Sequence, residues 1–358
     1  VNTTQLRTEL LARKHTLLGT SDSEGIVHAI GEAVDDGLDL IEGTLHALER
    51  CQGAFSLVIA APGVLMGTRD PNGVRPLVIG TLGDRYVLAS ETCALSIIGA
   101  RYLRDVEPGE LVVITEEGLA TQRWAAPQPK LCIFEMIYFA RPDSRMNGQT
   151  LYMYRERLGE ILAQEAPADA DIVIPVPDSG TPAAIGYARQ SGILFQQGLI
   201  KNHYVGRTFI QPTQSMREAG IKMKLNPLPD VLSGKRVVIV DDSIVRGTTS
   251  SKIVKALRDA GATEVHMRIS SPPVTHPCFY GIDTDSQDQL IAATKSVEEI
   301  ARHIGVDSLA YLSIEGMFRA AGSEAESFCS ACFTGKYPIP VPDTVRQTKL
   351  RLEDPVAT

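Results

Sequence analysis

The chain has 358 residues, 22% of them charged and 44% hydrophobic, with a formal net charge of −8; this is an ordinary globular balance with room for two domains of roughly 150 residues each. A pI of about 5.5 argues against a broad nucleic-acid surface, no apolar run approaches the ~20 residues of a membrane span, and the opening Val1 to Arg7 lacks the basic-then-apolar pattern of a signal peptide. A cytoplasmic enzyme is expected, and in that reducing compartment six cysteines point to metal binding or catalysis rather than to a disulfide scaffold.

Residues 1 to about 50 read as helical. Gln5 to Arg13 is a run of helix formers, and the polar Thr20-Ser21-Asp22-Ser23-Glu24 caps a helix from Gly25 to Ala33. Leu38, Ile41, Leu45 and Leu48 then recur at helical spacing. From Gly53 the period changes. Ala54–Ile59, Val64–Gly67, Leu77–Ile79, Tyr86–Ala89 and Leu111–Ile114 read as strands, joined by antiparallel turn signals. Cys51 and Cys93 read as small apolar residues beside those strands. Residues 121 to 130, with two prolines and a polar composition, read as a linker. A helix over Tyr154–Gln164 and a strand over Asp171–Val176 follow, and then Pro177-Asp178-Ser179-Gly180-Thr181-Pro182, which alone would be a turn and helix cap. Lys201 to Lys224 is the most basic stretch of an acidic chain and has little periodicity. The tail from Arg346 is polar and offers no core face.

The densest signal is Val237 to Ser250. Four β-branched residues, Val237 to Val240, mark a strand buried on both faces. Asp241 and Asp242 follow, then Arg246, Gly247 and the hydroxyls of Thr248, Thr249 and Ser250. Ile253, Val254 and Leu257 continue at helical spacing, and Gly261 closes the helix. Open α/β sheets bind ligands off the carboxyl ends of their strands. A helix N-terminus is a phosphate site, and the carboxylates suit ribose hydroxyls or a magnesium ion carrying pyrophosphate. The Gly-Lys-Ser/Thr ending of the Walker pattern is absent. The stretch closely resembles the phosphoribosyl-pyrophosphate (PRPP) signature of type I phosphoribosyltransferases.

A second resemblance lies upstream. Arg69-Asp70-Pro71-Asn72-Gly73-Val74-Arg75-Pro76-Leu77, with Leu88-Ala89-Ser90-Glu91, resembles the glutaminase domain of class II amidotransferases, an N-terminal-nucleophile fold. Together with Cys132 to Ser144, the two signatures resemble one family, the glutamine phosphoribosylpyrophosphate amidotransferases (amidophosphoribosyltransferases). The resemblance implies an α/β and α+β chain. Residues 1–122 would be the C-terminal part of an αββα glutaminase domain. Residues 123–340 would be a type I phosphoribosyltransferase domain with a parallel sheet flanked by helices, and 341–358 a polar tail. The implied reaction forms 5-phosphoribosylamine, pyrophosphate and glutamate from PRPP and glutamine, the first committed step of purine biosynthesis. Family members open with a nucleophilic cysteine, whereas this sequence opens with Val1 just after the expected Asn-Gly oxyanion donors. Ammonia-dependent activity alone is therefore expected of it, and no catalytic residue is assigned. The other reading is a non-catalytic PRPP-binding regulator of the same fold.

By the same resemblance, Asp22 holds the α-ammonium of glutamine. Lys201, Tyr204, Arg207, Lys222, Asp241, Asp242, Ser243, Arg246, Gly247, Thr248 and Thr249 bind PRPP, with the basic stretch from Lys201 closing as a lid that excludes water. Ser179, Asp241 and Asp242 hold Mg2+. Cys132, Cys278, Cys329 and Cys332 remain. The Cys329-Ser-Ala-Cys332 pair is a weak signal by itself, and spacing does not choose between zinc and a cluster. The four match the iron–sulfur branch of the family, which implies a structural [4Fe–4S] cluster, with His276 a local hydrogen-bonding residue. Implied partners are purine nucleotides as feedback inhibitors and further copies of the chain in a homotetramer or homodimer, with no nucleic acid or membrane.

Overall fold

The computed structural model describes residues 1–202, 225–282, 284, 286–322 and 325–342. The N-terminal half opens with helices Thr3–Ala12, Asp22–Asp35 and Leu40–Arg50. The third begins at a capping box, in which Asp39 accepts from the Glu42 amide and Glu42 reaches back to the Asp39 amide, so two orphan donors are satisfied together. It buries Ala47 and Leu48 completely, and Ile41 and Leu45 pack on Met66, Leu111 and Val113 of the sheet beneath.

That sheet is antiparallel, in the order Ser56–Ala61, Val64–Arg69, Glu110–Thr115, Gly118–Arg123. A three-stranded sheet sets Val78–Leu82 between Arg85–Ala89 and Arg101–Asp105. The strands Arg101–Asp105 and Gly118–Arg123 were not expected from the sequence. Both lie at sheet edges and are largely exposed, so nothing forces apolar alternation on them. The linker reading from residue 121 therefore starts too early, since 121–123 still pair with Glu110, Leu111 and Val112. Cys51 and Cys93 also sit differently from expectation. Cys51 caps the C-terminus of the third helix and Cys93 is buried in the helix Thr92–Ile97.

The C-terminal half is built on a five-stranded parallel sheet, ordered Leu194–Phe195, Ile172–Pro175, Arg236–Asp241, Glu264–Ile269, Ser308–Tyr311. Arg236–Asp241 is the central strand, which is why Val237 to Val240 are all fully buried. They alternate between two cores. Val238 and Val240 face one side with Val173, and Val237 and Ile239 face the other with Ile172 and Ile174, as the two-residue period of a strand requires. On the first side, helices Leu151–Glu165 and Thr181–Ser191 pack backbone to backbone. A Cβ on Gly159 would lie 1.8 Å from the Ala183 carbonyl oxygen, and one on Gly186 would lie 1.9 Å from that of Glu156. Only glycine permits that approach. It brings the loop before Thr181 down onto the end of the central strand.

Candidate active site

The central strand ends at Asp241 and Asp242, which retain only 9% and 5% of their exposure. The Asp242 amide donates to Asp241 Oδ1 at 2.9 Å, and Ser243 Oγ donates to Asp242 Oδ2 at 2.6 Å. Ser179 also hydrogen-bonds the Asp242 carboxylate. Its loop is held by Gly180, whose amide donates to the Val176 carbonyl at 2.9 Å. A Cβ on Gly180 would sit 2.4 Å from the Val240 oxygen. Burial pushes both carboxyls above their ordinary range, and the charge of Asp242 pushes Asp241 further. Two adjacent buried oxyacids facing hydroxyls form an oxygen-only donor set of the kind that suits a hard cation.

Five residues on, Gly247 is the N-cap of the helix Thr248–Asp259, with φ of +76° and no side-chain cap. Glycine suits the left-handed backbone here, and a Cβ would also press on the end of Ile291, whose Cδ1 would lie 2.8 Å away. The uncapped first turn leaves amides available to an anion. Arg246, Thr248 and Thr249 are exposed around it.

Lys201 ends the short strand Leu199–Lys201, which pairs with Leu225–Pro227, and its ammonium is ion-paired with Asp178 of the Ser179 loop. Both line a cleft of about 350 Å³ together with Pro142, Tyr152, Thr181 and Gln197. Tyr204, Arg207, Lys222 and most of the expected lid lie outside the described residues, as does the tail from Arg346. Asp22 is not part of this site. It is exposed in the first turn of its helix, accepting from the Ser23 amide at 2.8 Å. The N-cap there is Ser21.

Sequence reasoning missed Arg155. It is 3% exposed and donates to the carbonyls of Met136 at 2.9 Å and Ala140 at 2.6 Å, across a π-helical turn, Glu135–Phe139. Burial lowers its pKa, and the charge of Asp242 opposes that. An arginine inside a buried helical face was the available signal. Pro142, Tyr152 and Asp178 carry no signal of their own; folding alone brings them to the cleft.

The four remaining cysteines come from three segments into one core, Cys132 and Cys329 buried in it and Cys278 and Cys332 half-buried against it. Cys132 and Cys329 are register partners in a parallel pairing. The Cys332 carbonyl accepts from the amides of Thr275 at 3.0 Å and His276 at 3.1 Å, and the Tyr280 amide donates to Cys278 Sγ at 3.4 Å. Burial pushes the Cys132 thiol up to about 12 and Cys329 up to about 11. Cys332 is raised by burial and then by the charges of Cys132, Cys278 and Cys329. His276 Nδ1 lies 2.9 Å from Thr275 Oγ1. Among the described residues, no group of three or more His, Cys, Asp or Glu side chains stands at the spacing that holds one metal ion.

Comparison with known proteins matches both halves. Residues 1–96 match the glutamine amidotransferase domain family and residues 149–270 the phosphoribosyl transferase domain family. The amidophosphoribosyltransferase of Synechococcus elongatus is 66% identical over 99% of this chain and 73% of its own length. This chain belongs to the amidophosphoribosyltransferase family. The Bacillus subtilis amidophosphoribosyltransferase is 50% identical over 96% of this chain and 73% of its own length. A B. subtilis glutamine PRPP amidotransferase structure, complexed with ADP and GMP, superposes with a TM-score of 0.88 at 49% identity, covering 95% of this chain and 75% of that one. A second structure, described as the allosteric regulatory enzyme of purine biosynthesis, gives 0.89 over 96% and 74%. Family membership makes this a pentosyl transferase with an N-terminal-nucleophile glutaminase fold joined to a type I phosphoribosyltransferase fold. It sets aside the non-catalytic regulator, because the relatives are enzymes of the first step of purine biosynthesis. No helix among the described residues is long and apolar enough to cross a membrane.

Proposed function

We propose that this amidophosphoribosyltransferase forms 5-phosphoribosylamine at the end of the central parallel strand. The observation that carries the reading is the continuity of Asp241-Asp242 with the glycine-opened helix at Gly247. One loop thus offers carboxylates for the ribose end and free amides for the 5′-phosphate. Asp241, Asp242 and Ser179 would hold Mg2+, which when bound neutralises charge on the departing pyrophosphate. Arg246, Thr248 and Thr249 grip the 5′-phosphate. Lys201 moves from Asp178 to pyrophosphate, and Ser243 orients Asp242. Tyr204, Arg207 and Lys222 complete the pyrophosphate contacts. Ionisation at ribose C1 builds positive character facing the two carboxylates, and ammonia attacks the opposite face with inversion. Positioning and electrostatics carry the step, so the transferase half needs no protein nucleophile. Glutamine, held through the ammonium contact of Asp22, supplies the ammonia in the family reaction. Purine nucleotides inhibit, in keeping with the ADP and GMP of the B. subtilis complex, and the working form is a homo-oligomer.

The cysteines are read as ligands of a structural [4Fe–4S] cluster. The chemistry of four thiols gathered at one core, two buried and two half-buried, supports this. Anaerobic purification, followed by assay of phosphoribosylamine formation from PRPP and magnesium with ammonia as donor, tests the transferase reading. Turnover is expected, and tight PRPP binding without turnover would overturn it.

A further inference from the structure

One cationic side chain crosses from the N-terminal half to the cysteine pocket. Arg75 is 15% exposed. Its Nε donates to the Tyr280 carbonyl at 3.0 Å, its Nη1 is ion-paired with Glu135, and its guanidinium lies 5.4 Å from the centre of the Phe139 ring. Tyr280 is the residue whose amide caps Cys278 Sγ, and Glu135 lies three positions after Cys132. Gly281 makes room for the arrangement, with φ of +101° and a would-be Cβ 3.1 Å from Arg75 Nη2.

The backbone that aims Arg75 is over-determined. Asp70 accepts from the amides of Phe55 at 3.1 Å, Asn72 at 2.9 Å and Val74 at 3.2 Å. Arg69 Nε and Ser56 Oγ both donate to the Arg75 carbonyl, at 2.8 and 2.9 Å. The turn then accepts from the second half edge to edge. Gln128, Lys130 and Cys132 amides donate to Pro71, Asn72 and Val74 carbonyls at 2.8, 2.7 and 2.9 Å. A buried carboxylate and a buried arginine are thus used to build a rigid mount, and that mount presents one guanidinium to the segments bearing Cys132 and Cys278.

We propose that Arg75 is a positioning residue that fastens the glutaminase half to the cysteine pocket of the transferase half and sets a fixed positive charge beside what the four cysteines hold. Its fork fixes register between the halves through Tyr280 and Glu135. Its charge protects the anionic contents of the pocket. The second role rests on the cluster reading above; the first does not.

The test uses anaerobically purified wild-type, Arg75→Met, Arg75→Lys and Glu135→Gln chains, read by calorimetry and by the decay of visible iron–sulfur absorbance in air. The wild type is expected to unfold in one transition. Arg75→Met should split it into two and bleach about tenfold faster, the scale of losing a supporting partner around a metal centre. Arg75→Lys keeps the charge without the fork. It should bleach near the wild-type rate while still unfolding in two steps, a split that simple loss of packing would not give. Glu135→Gln should loosen the halves in the same sense as Arg75→Met. A single transition at the wild-type temperature in Arg75→Met, or two transitions in the wild type, would overturn the fastening role. Equal bleaching in Arg75→Met and wild type would overturn the protective one. Iron-free wild-type protein would remove the cluster reading, and the calorimetry would still decide whether Arg75 fastens the halves.

Discussion

Glu110 and Glu32 on one side, and the Asp241–Asp242 pair on the other, treat the burial of a carboxylate in opposite ways. In the N-terminal half, Glu110 has a side chain 8% exposed and takes two bonds from Arg104, each 2.8 Å, and one from the Glu107 amide at 2.7 Å. Burial works against its charge, yet Arg104 and that amide hold its pKa below the ordinary range. Glu32 is similar, bridged to Arg13 and Arg50 at 2.9 Å each and lowered in spite of burial. In the C-terminal half, Asp241 and Asp242 are buried against each other and against hydroxyls, with no guanidinium bonded to them among the described residues, and both are raised. A carboxylate completed by arginine is finished structure. A buried pair without such a partner is destabilising as it stands and would gain from a cation or a hydroxylated ligand. That is the pattern expected of a binding site.

The largest effect that could break this comparison is at the raised pair. Asp242→Asn removes one of two facing charges. It should lower kcat/KM for PRPP by about 100- to 1,000-fold, the usual cost of removing one preorganised electrostatic group, while raising the thermal midpoint without ligands. Activity assays and a melting scan of the same preparation check it. A fall in both would mean that the pair is structural after all. Added magnesium should stabilise the wild type and have far less effect on Asp242→Asn.

Glu110 gives the opposite expectation. Glu110→Gln leaves Arg104 without its ionic partner and should cost about 1–2 kcal/mol at neutral pH, with ammonia-dependent turnover unchanged. The pH dependence has a definite sign. Because the folded-state pKa of Glu110 lies below its ordinary value of 4.5, its contribution is present above that value and is lost as pH falls through the folded pKa. The stability gap between wild type and Glu110→Gln, read from urea midpoints, should therefore be full at pH 7 and narrow in acid below about pH 4.5. A gap that widened in acid would contradict the assignment.

Much of this contrast was legible in the amino-acid order, and the illegible part has a physical cause. The Val237–Val240 run announced a central parallel strand because burial on both faces removes any polar alternation. Asp241, Gly247 and Thr248 announced the loop because their roles are local: strand end, left-handed turn and helix start. The polar strands Arg101–Asp105 and Gly118–Arg123 escaped because a sheet edge puts no demand on composition. The roles of Arg155, Tyr152, Asp178 and Arg75 escaped for another reason. Each matters only through what folding places against it: the Met136 and Ala140 carbonyls for Arg155, Lys201 for Asp178. Glu110 and Asp242 look alike in a sequence, and only their neighbours separate finished structure from a site.

The smallest expected effect bounds the argument from the other side. Lys255 and Asp259 form an i,i+4 pair at 3.0 Å on the helix that begins at Thr248, with side chains 76% and 65% exposed. The pair is well formed, but water screens it and both side chains give up rotamer freedom to make it. Lys255→Met should therefore shift stability by no more than about 0.5 kcal/mol and leave KM for PRPP unchanged, although it lies on the helix proposed to carry the phosphate site. If it cost as much as Glu110→Gln, burial would not be what makes a paired carboxylate count. If it altered PRPP affinity, the site would draw on charge along the whole helix rather than on the amides of its first turn. Equal neutrality in both measurements leaves desolvation as the factor that distinguishes Glu110 and Asp242 from every exposed pair.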